Sequence, residues 1–128
     1  MRFLRLSVLM AVSAAAVLSC ASLPVSVPEG ASPAELVQMA QNAAERGKNE
    51  AAVQYYQAVL DRFPEDLPSV CAAEYEIAFI RYKEKDYGQA KPLFIRLLAR
   101  YDSPDAALLP AQYKVLGEKI LAMIELKE

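Results

Sequence analysis

Apolar residues recur at intervals of three and four along most of this chain, and each run predicts an amphipathic helix. Leu36, Met39, Ala40 and Ala43 form the first stripe, and Ala52, Tyr56, Val59, Leu60 and Phe63 the second. A third run, with Val70, Ala73, Ile77, Ala78, Phe79 and Ile80, is apolar on most sides. A helix of that kind is covered by neighbours on both flanks, so it belongs in the middle of the molecule. Ala90, Leu93, Phe94, Leu97, Leu98 and Tyr101 make the fourth stripe; Leu109, Tyr113, Leu116, Ile120 and Ile124 make a fifth that reaches close to Glu128. No period-two alternation competes with these helices.

Polar residues and breakers set the boundaries. Ser32-Pro33-Ala34-Glu35 reads as a capping box with proline in the first turn. Gly47 suits the left-handed residue beyond a helix end. Asn49 is expected to cap the second helix, and Pro64 to stop it. Asp66, Leu67, Pro68 and Ser69 read as the turn into the third helix, which runs to about Lys85. Asp86 and Gln89 form another capping-box pattern ahead of the fourth helix. Pro92 lies inside that helix, lacks a backbone N–H, and predicts a bend near Gly88. Asp102-Ser103-Pro104-Asp105 makes the last turn, and Pro110 delays the fifth helix.

Two of the helical stretches are copies. Residues 52–63 lie over residues 90–101 at an offset of 38, and the same offset lays Ala73-Glu74-Tyr75 over Ala111-Gln112-Tyr113. A two-helix unit repeated at this period predicts an all-α solenoid of antiparallel hairpins, about two and a half repeats in five helices over residues 33–128. Solenoids act through contact surfaces.

The N-terminal composition changes the picture of where the domain sits. Arg2 and Arg5 precede an apolar run from Leu6 to Leu18, too short for a membrane span, so residues 1–19 read as an export signal. An uncleaved anchor or a buried helix is the competing reading. Val17-Leu18-Ser19-Cys20 resembles a bacterial lipobox with Leu18 where a smaller residue is usual, a relaxed form similar to those of spirochaetes. Cys20 is then the lipidation site, carrying acyl chains such as palmitate. Two or three chains anchor a protein firmly, at about 0.8 kcal/mol per buried CH₂. Ordinary cleavage near Ala14–Ala16 would instead leave a free thiol. Residues 20–32 read as the lipidated cysteine and a flexible tether, and Ala21 to Ala31, rich in proline, serine and glycine, would extend by roughly 30–35 Å at about 3.1 Å per residue. Ala21 after the lipid site resembles the arrangement that permits export to an outer membrane.

Charge and residue chemistry exclude several functions. Removing Arg2 and Arg5 from a formal net charge of −2 leaves −4, with no basic block, so nucleic acid is not an expected partner. The chain has no histidine, the commonest general base and metal ligand. No metal-spaced cysteine set, phosphate loop or nucleophile elbow occurs. An enzyme, a metal and a cofactor are therefore not expected. With Cys20 lipidated, Cys71 is the other of two cysteines and reads as a small buried apolar residue.

Gly47, Ala52, Tyr56, Val59 and Pro64 resemble the second half of a tetratricopeptide repeat. In the second copy the same positions are Lys85, Ala90, Phe94, Leu97 and Asp102. The first-helix small positions fall on Ala40 and Ala78, whereas the preceding aromatic position holds Leu36 and Glu74. The spacing between repeats is similar to that of bacterial envelope proteins such as the lipoprotein of the outer-membrane β-barrel assembly machinery and the periplasmic coordinator of the Tol–Pal system. The resemblance implies close contacts of Ala40 with Ala52 and of Ala78 with Ala90. It also implies a concave groove lined by Tyr75, Phe79, Tyr82 and Lys83, joined by Tyr113 at the position equivalent to Tyr75. Aromatic side chains with polar tips would anchor a protein partner there; packing between helices is the other reading of the same stripe.

The expected function is thus a lipid-anchored envelope scaffold or assembly subunit, facing the periplasm from the outer membrane and binding other envelope proteins. Two alternatives stay open. One is a structural lipoprotein that forms homo-oligomers through its last helix, and the other is a periplasmic carrier of a small molecule.

Overall fold

The computed structural model describes residues 23–128. The signal segment, the lipobox and Cys20 lie outside the described residues. Five α-helices follow in order: α1 (Pro33–Glu45), α2 (Asn49–Arg62), α3 (Leu67–Lys83), α4 (Tyr87–Ala99) and α5 (Ala111–Glu125). Two short 3-10 turns, Arg100–Asp102 and Pro104–Leu108, link the last pair. Among the described residues there is no strand. The α1–α2 and α3–α4 hairpins pack side by side, with α5 closing against α4, so the fold is the all-α helical repeat the periodicity predicts.

The caps explain the helix ends. Ser32 accepts from the Glu35 N–H while the Glu35 carboxylate accepts from the Ser32 N–H, a complete capping box. Gly47 ends the first hairpin turn with φ +74°, and Lys85, 38 residues on, holds the same left-handed turn with φ +61°. Three local expectations are corrected. Asn49 is already helical and does not cap α2; its amide instead donates to Glu84 across the neighbouring turn at 2.9 Å. Leu67, Pro68 and Ser69 form the first turn of α3 rather than a loop, because Asp66 caps it by accepting from the Ser69 N–H. Gln89 reaches the Asp86 carboxylate, not its backbone N–H, which is already donating to Arg81. Helix α4 runs unbroken through Pro92.

Two cores share α3. Ala73, Ile77 and Ile80 point into the first, with Leu36, Ala40, Ala52, Tyr56 and Val59. Cys71, Tyr75 and Ala78 point into the second, with Ala90, Phe94, Leu97, Leu109, Ile120 and Ile124. The repeat register is exact in burial: Ala40, Ala78, Ala52 and Ala90 are all fully buried, and Tyr56 is replaced one repeat later by Phe94. Ala at the contact lets paired helices approach, and the ring fills the wider gap beyond it. Burying a ring such as Phe94 contributes about 1.5–3 kcal/mol.

The fifth stripe faces the core as expected at Leu109, Ile120 and Ile124 and departs from expectation at Leu116. Gly117, Ile120 and Ile124 are buried while Leu116 is exposed. The cause is Gly117, where an added Cβ would lie 3.3 Å from Leu98 Cδ2, so glycine allows α5 to settle onto α4 by that edge.

The segment before α1 also departs from expectation. Residues 23–28 form no helix or strand and residues 29–30 turn into α1, but the segment is not a free tether. Gln54 accepts from the Val25 N–H at 2.9 Å and donates to the Leu23 carbonyl at 3.0 Å, and Arg62 donates to the Pro28 carbonyl at 2.7 Å. Val27 packs on the first core and Ala31 is buried in it. Composition alone suggested an unpacked chain; the side-chain amide of Gln54 gives its backbone the partners a tether would find in water.

Candidate functional site: an aromatic ladder on α3

Helical spacing places Tyr75, Phe79 and Tyr82 on one face of α3. Their rings form a ladder, with Tyr75 and Phe79 stacked at 5.7 Å and Phe79 and Tyr82 stacked at 6.1 Å. Neighbouring helices extend it. Tyr113 of α5 meets Tyr75 at 5.4 Å, and Tyr87 of α4 meets Tyr82 at 5.9 Å. Such contacts add about 0.5–1.5 kcal/mol each beyond area burial.

The ladder serves two purposes at once. Tyr75 is buried and packs edge-on against Phe94 at 6.0 Å, so it belongs to the second core. Phe79, Tyr82 and Tyr113 are half-buried, with one side on that core and the other open. Lys83 is exposed, and its ammonium lies 4.9 Å from the centre of the Phe79 ring. The five residues named from the sequence are therefore brought onto one surface, with Tyr75 as its floor.

Glu76 completes this surface and was not singled out from the sequence. It is half-buried on α3, one residue on from Tyr75, and among the described residues it makes no ion pair within 4 Å. Burial pushes its carboxyl above the ordinary value, with the Lys83 charge pulling the other way. Its charge in turn acts on three phenols. Burial first, and Glu76 second, raise Tyr56 and Tyr75. For Tyr113, burial raises and the Gln112 hydrogen bond lowers, with Glu76 adding to the rise. The Tyr56 phenol lies within reach of this charge although its side chain is almost wholly buried. The only signal for Glu76 in the sequence is its helical neighbourhood, since a lone glutamate on a helix ordinarily means a solvated face.

Chemically, this surface offers π-faces, phenol hydroxyls, one cation and one carboxylate. Cys71, behind it, is buried, and burial pushes its thiol up, which keeps it protonated and inert. No group of three or more metal-ligating side chains comes together among the described residues. The arrangement suits recognition by contact.

Comparison with known proteins agrees with the geometry. Residues 36–66, which cover α1 and α2, match the model of the tetratricopeptide repeat. The chain is 39% identical over 97 residues to an uncharacterized protein of Treponema pallidum (strain Nichols). That alignment covers 74% of this chain and 39% of the relative, so the chain spans well under half of the protein it resembles. No solved structure matches the chain. The fully buried Ala40 and Ala52, the ring of Tyr56 between them and the next hairpin, and the matched residues lead to one conclusion: the chain is an all-α helical-repeat protein whose first hairpin is similar to a tetratricopeptide repeat.

Proposed function

We propose that this protein is a lipid-anchored cell-envelope scaffold, held at the membrane through Cys20 and binding another envelope protein through the open side of the α3 ladder. The tetratricopeptide repeat supports a role in protein–protein interaction. The observation that carries the choice of surface is the half-buried row of Phe79, Tyr82 and Tyr113 beside Lys83 and the unpaired Glu76. Large rings already held by stacking lose little conformational freedom on binding, and anchors of this kind dominate interface energies. The lipobox-like residues 17–20 support the anchor, and a relative in a spirochaete fits their relaxed form.

A photo-crosslinking residue at Phe79 tests the surface against one at Gln57, which is exposed on α2. A crosslink to one envelope protein from position 79 only, lost in the Lys83→Glu variant, supports the reading. Equal crosslinking from both positions overturns it. Cys20→Ser tests the anchor: the variant should leave the membrane, and a chain that still sediments with membrane in high salt is not held by lipid.

A second reading is favoured by α5. Val115, Leu116, Met123 and Leu126 are exposed on it, a face that a following helix of the repeat would cover and that a second copy of the chain could cover instead. Light scattering separates the two, because a monomer leaves that face to other partners. The carrier reading lacks such support, since Tyr75, the expected wall of its pocket, is closed by packing on Phe94 and Tyr113.

A further inference from the structure

Residues 23–31, which lie as a strap against α2, meet the hairpin turns at one edge of the molecule. Leu23, Pro24 and Val25 line a depression together with Gly47, Lys48 and Glu84. The two hairpin turns are tied to each other there: Asn49 donates to Glu84, and Arg81 pairs with both Glu50 and Glu84. That network ties up Glu50 and Glu84; Glu45 and Asp86 are the other carboxylates of the two turns, and Glu128 at the end of α5 pairs with Lys91. Arg46, Lys48, Lys83 and Lys85 remain exposed, and none makes an ion pair among the described residues. Leu23 projects beside them with 86% of its surface open.

The turn edge thus carries nearly balanced charges, whereas the opposite edge carries an excess of carboxylates. The α2–α3 connection carries Asp61, Glu65 and Asp66, and the α4–α5 connection carries Asp102 and Asp105. Antiparallel hairpins sort their turns onto two edges, so this division of charge follows from the topology. It is invisible in the net charge of the chain.

From these observations we propose that the turn edge bearing Arg46, Lys48 and Lys85 lies directly on anionic lipid headgroups, with the acidic edge facing away. This rests on lipidation at Cys20. Two residues, Ala21 and Ser22, separate Cys20 from Leu23, so the three Cα–Cα steps reach at most about 11 Å. Gln54 fixes Leu23 at the turn edge through both hydrogen bonds of its amide. The strap therefore sets which edge meets the bilayer and takes away the standoff that a free tether would give. Exposed lysines and arginines around a protruding apolar residue are the chemistry of an interfacial contact. The aromatic ladder then stands side-on to the membrane, open to proteins of the same layer.

The full, lipidated chain is reconstituted in vesicles of phosphatidylcholine and phosphatidylglycerol that carry a headgroup quencher. A fluorophore is placed at Glu45→Cys on the turn edge or at Asp105→Cys on the acidic edge, in a Cys71→Ser background. Sedimentation comes first: a chain that does not stay with the vesicles overturns the anchor, and the orientation with it. For a bound chain, the label at 45 is expected to be quenched several-fold more than the label at 105. Equal quenching, or stronger quenching at 105, overturns the orientation while leaving the anchor standing. Gln54→Ala should shrink the difference, and an unchanged difference removes the strap from the account. If acetylation of Lys48 and Lys85 is blocked by other envelope proteins and not by vesicles, the edge binds protein and the proposal fails.

Discussion

Glu74 on α3 and Arg100 just beyond α4 form a two-point ion pair, with Arg100 Nε 2.7 Å from Glu74 Oε2 and Nη2 2.8 Å from Oε1. Glu74 is 5% exposed, whereas the Arg100 side chain is 37% exposed. One repeat earlier the same position holds Leu36, which is fully buried. The pair is thus a polar substitute at an apolar position. Arg100→Met strands a carboxylate in the interior and should cost about 2–4 kcal/mol, less than a fully buried pair because Arg100 is partly solvated. Glu74→Leu with Arg100→Met should recover that loss or exceed wild type. Urea unfolding of the three proteins checks this; a double variant as weak as the single one would mean the pair stabilises through more than its own desolvation.

Ala90→Leu tests the repeat contact. Ala90 is fully buried where α3 and α4 meet, so the added methylenes should cost about 1–3 kcal/mol. Ala34→Leu, on the exposed side of α1, is the control and should change stability little. Equal melting temperatures for both variants would mean that Ala90 does not lie at a tight contact.

Lys85 occupies a left-handed backbone conformation with φ +61°, where a Cβ is unfavourable. Lys85→Gly restores the residue that its counterpart Gly47 already has. The expected gain is about 0.5–1 kcal/mol, after allowing for the greater freedom of glycine in the unfolded chain. Gly47→Ala should lose a similar amount. Thermal unfolding monitored by circular dichroism reads both, and a fall in stability for Lys85→Gly would be contrary to this account.

Glu76 should impose its own pH dependence. Burial holds its carboxyl above the ordinary value of 4.5, so the folded state binds the proton more tightly than the unfolded chain. Its contribution is fully present below that value and is lost as pH rises through the folded value. Glu50 works in the opposite sense, because its hydrogen bond to Arg81 lowers it and its contribution is lost as pH falls. Comparing Glu76→Gln with wild type isolates the first effect. The variant should be more stable at neutral pH, with the advantage vanishing in acid. An advantage that grows in acid would contradict the burial argument.

The helices, their order and the hairpin repeat were legible because 3.6-residue periodicity and capping chemistry are local. Ser32, Gly47 and Asp86 act on backbone a few residues away, and the alanines at 40, 52, 78 and 90 mark close contacts by size alone. The aromatic face of α3 was legible for the same reason. Whether each ring is floor or surface was not, since that depends on how far Phe94 and Tyr113 press against Tyr75 from other helices.

Partners distant in the chain belong to the tertiary structure. Asn49 reads as a cap until Glu84 lies beside it, and Leu116 reads as core until Gly117 lets α5 settle onto α4 by its other edge. Proline, serine and glycine near residue 25 spell a loose linker, and only Gln54, 29 residues on, holds that stretch to the domain. Local interactions determine which segments are helical. Which side of each is covered, and which edge carries exposed basic side chains, is decided only when the hairpins stack and their side chains compete for the same space.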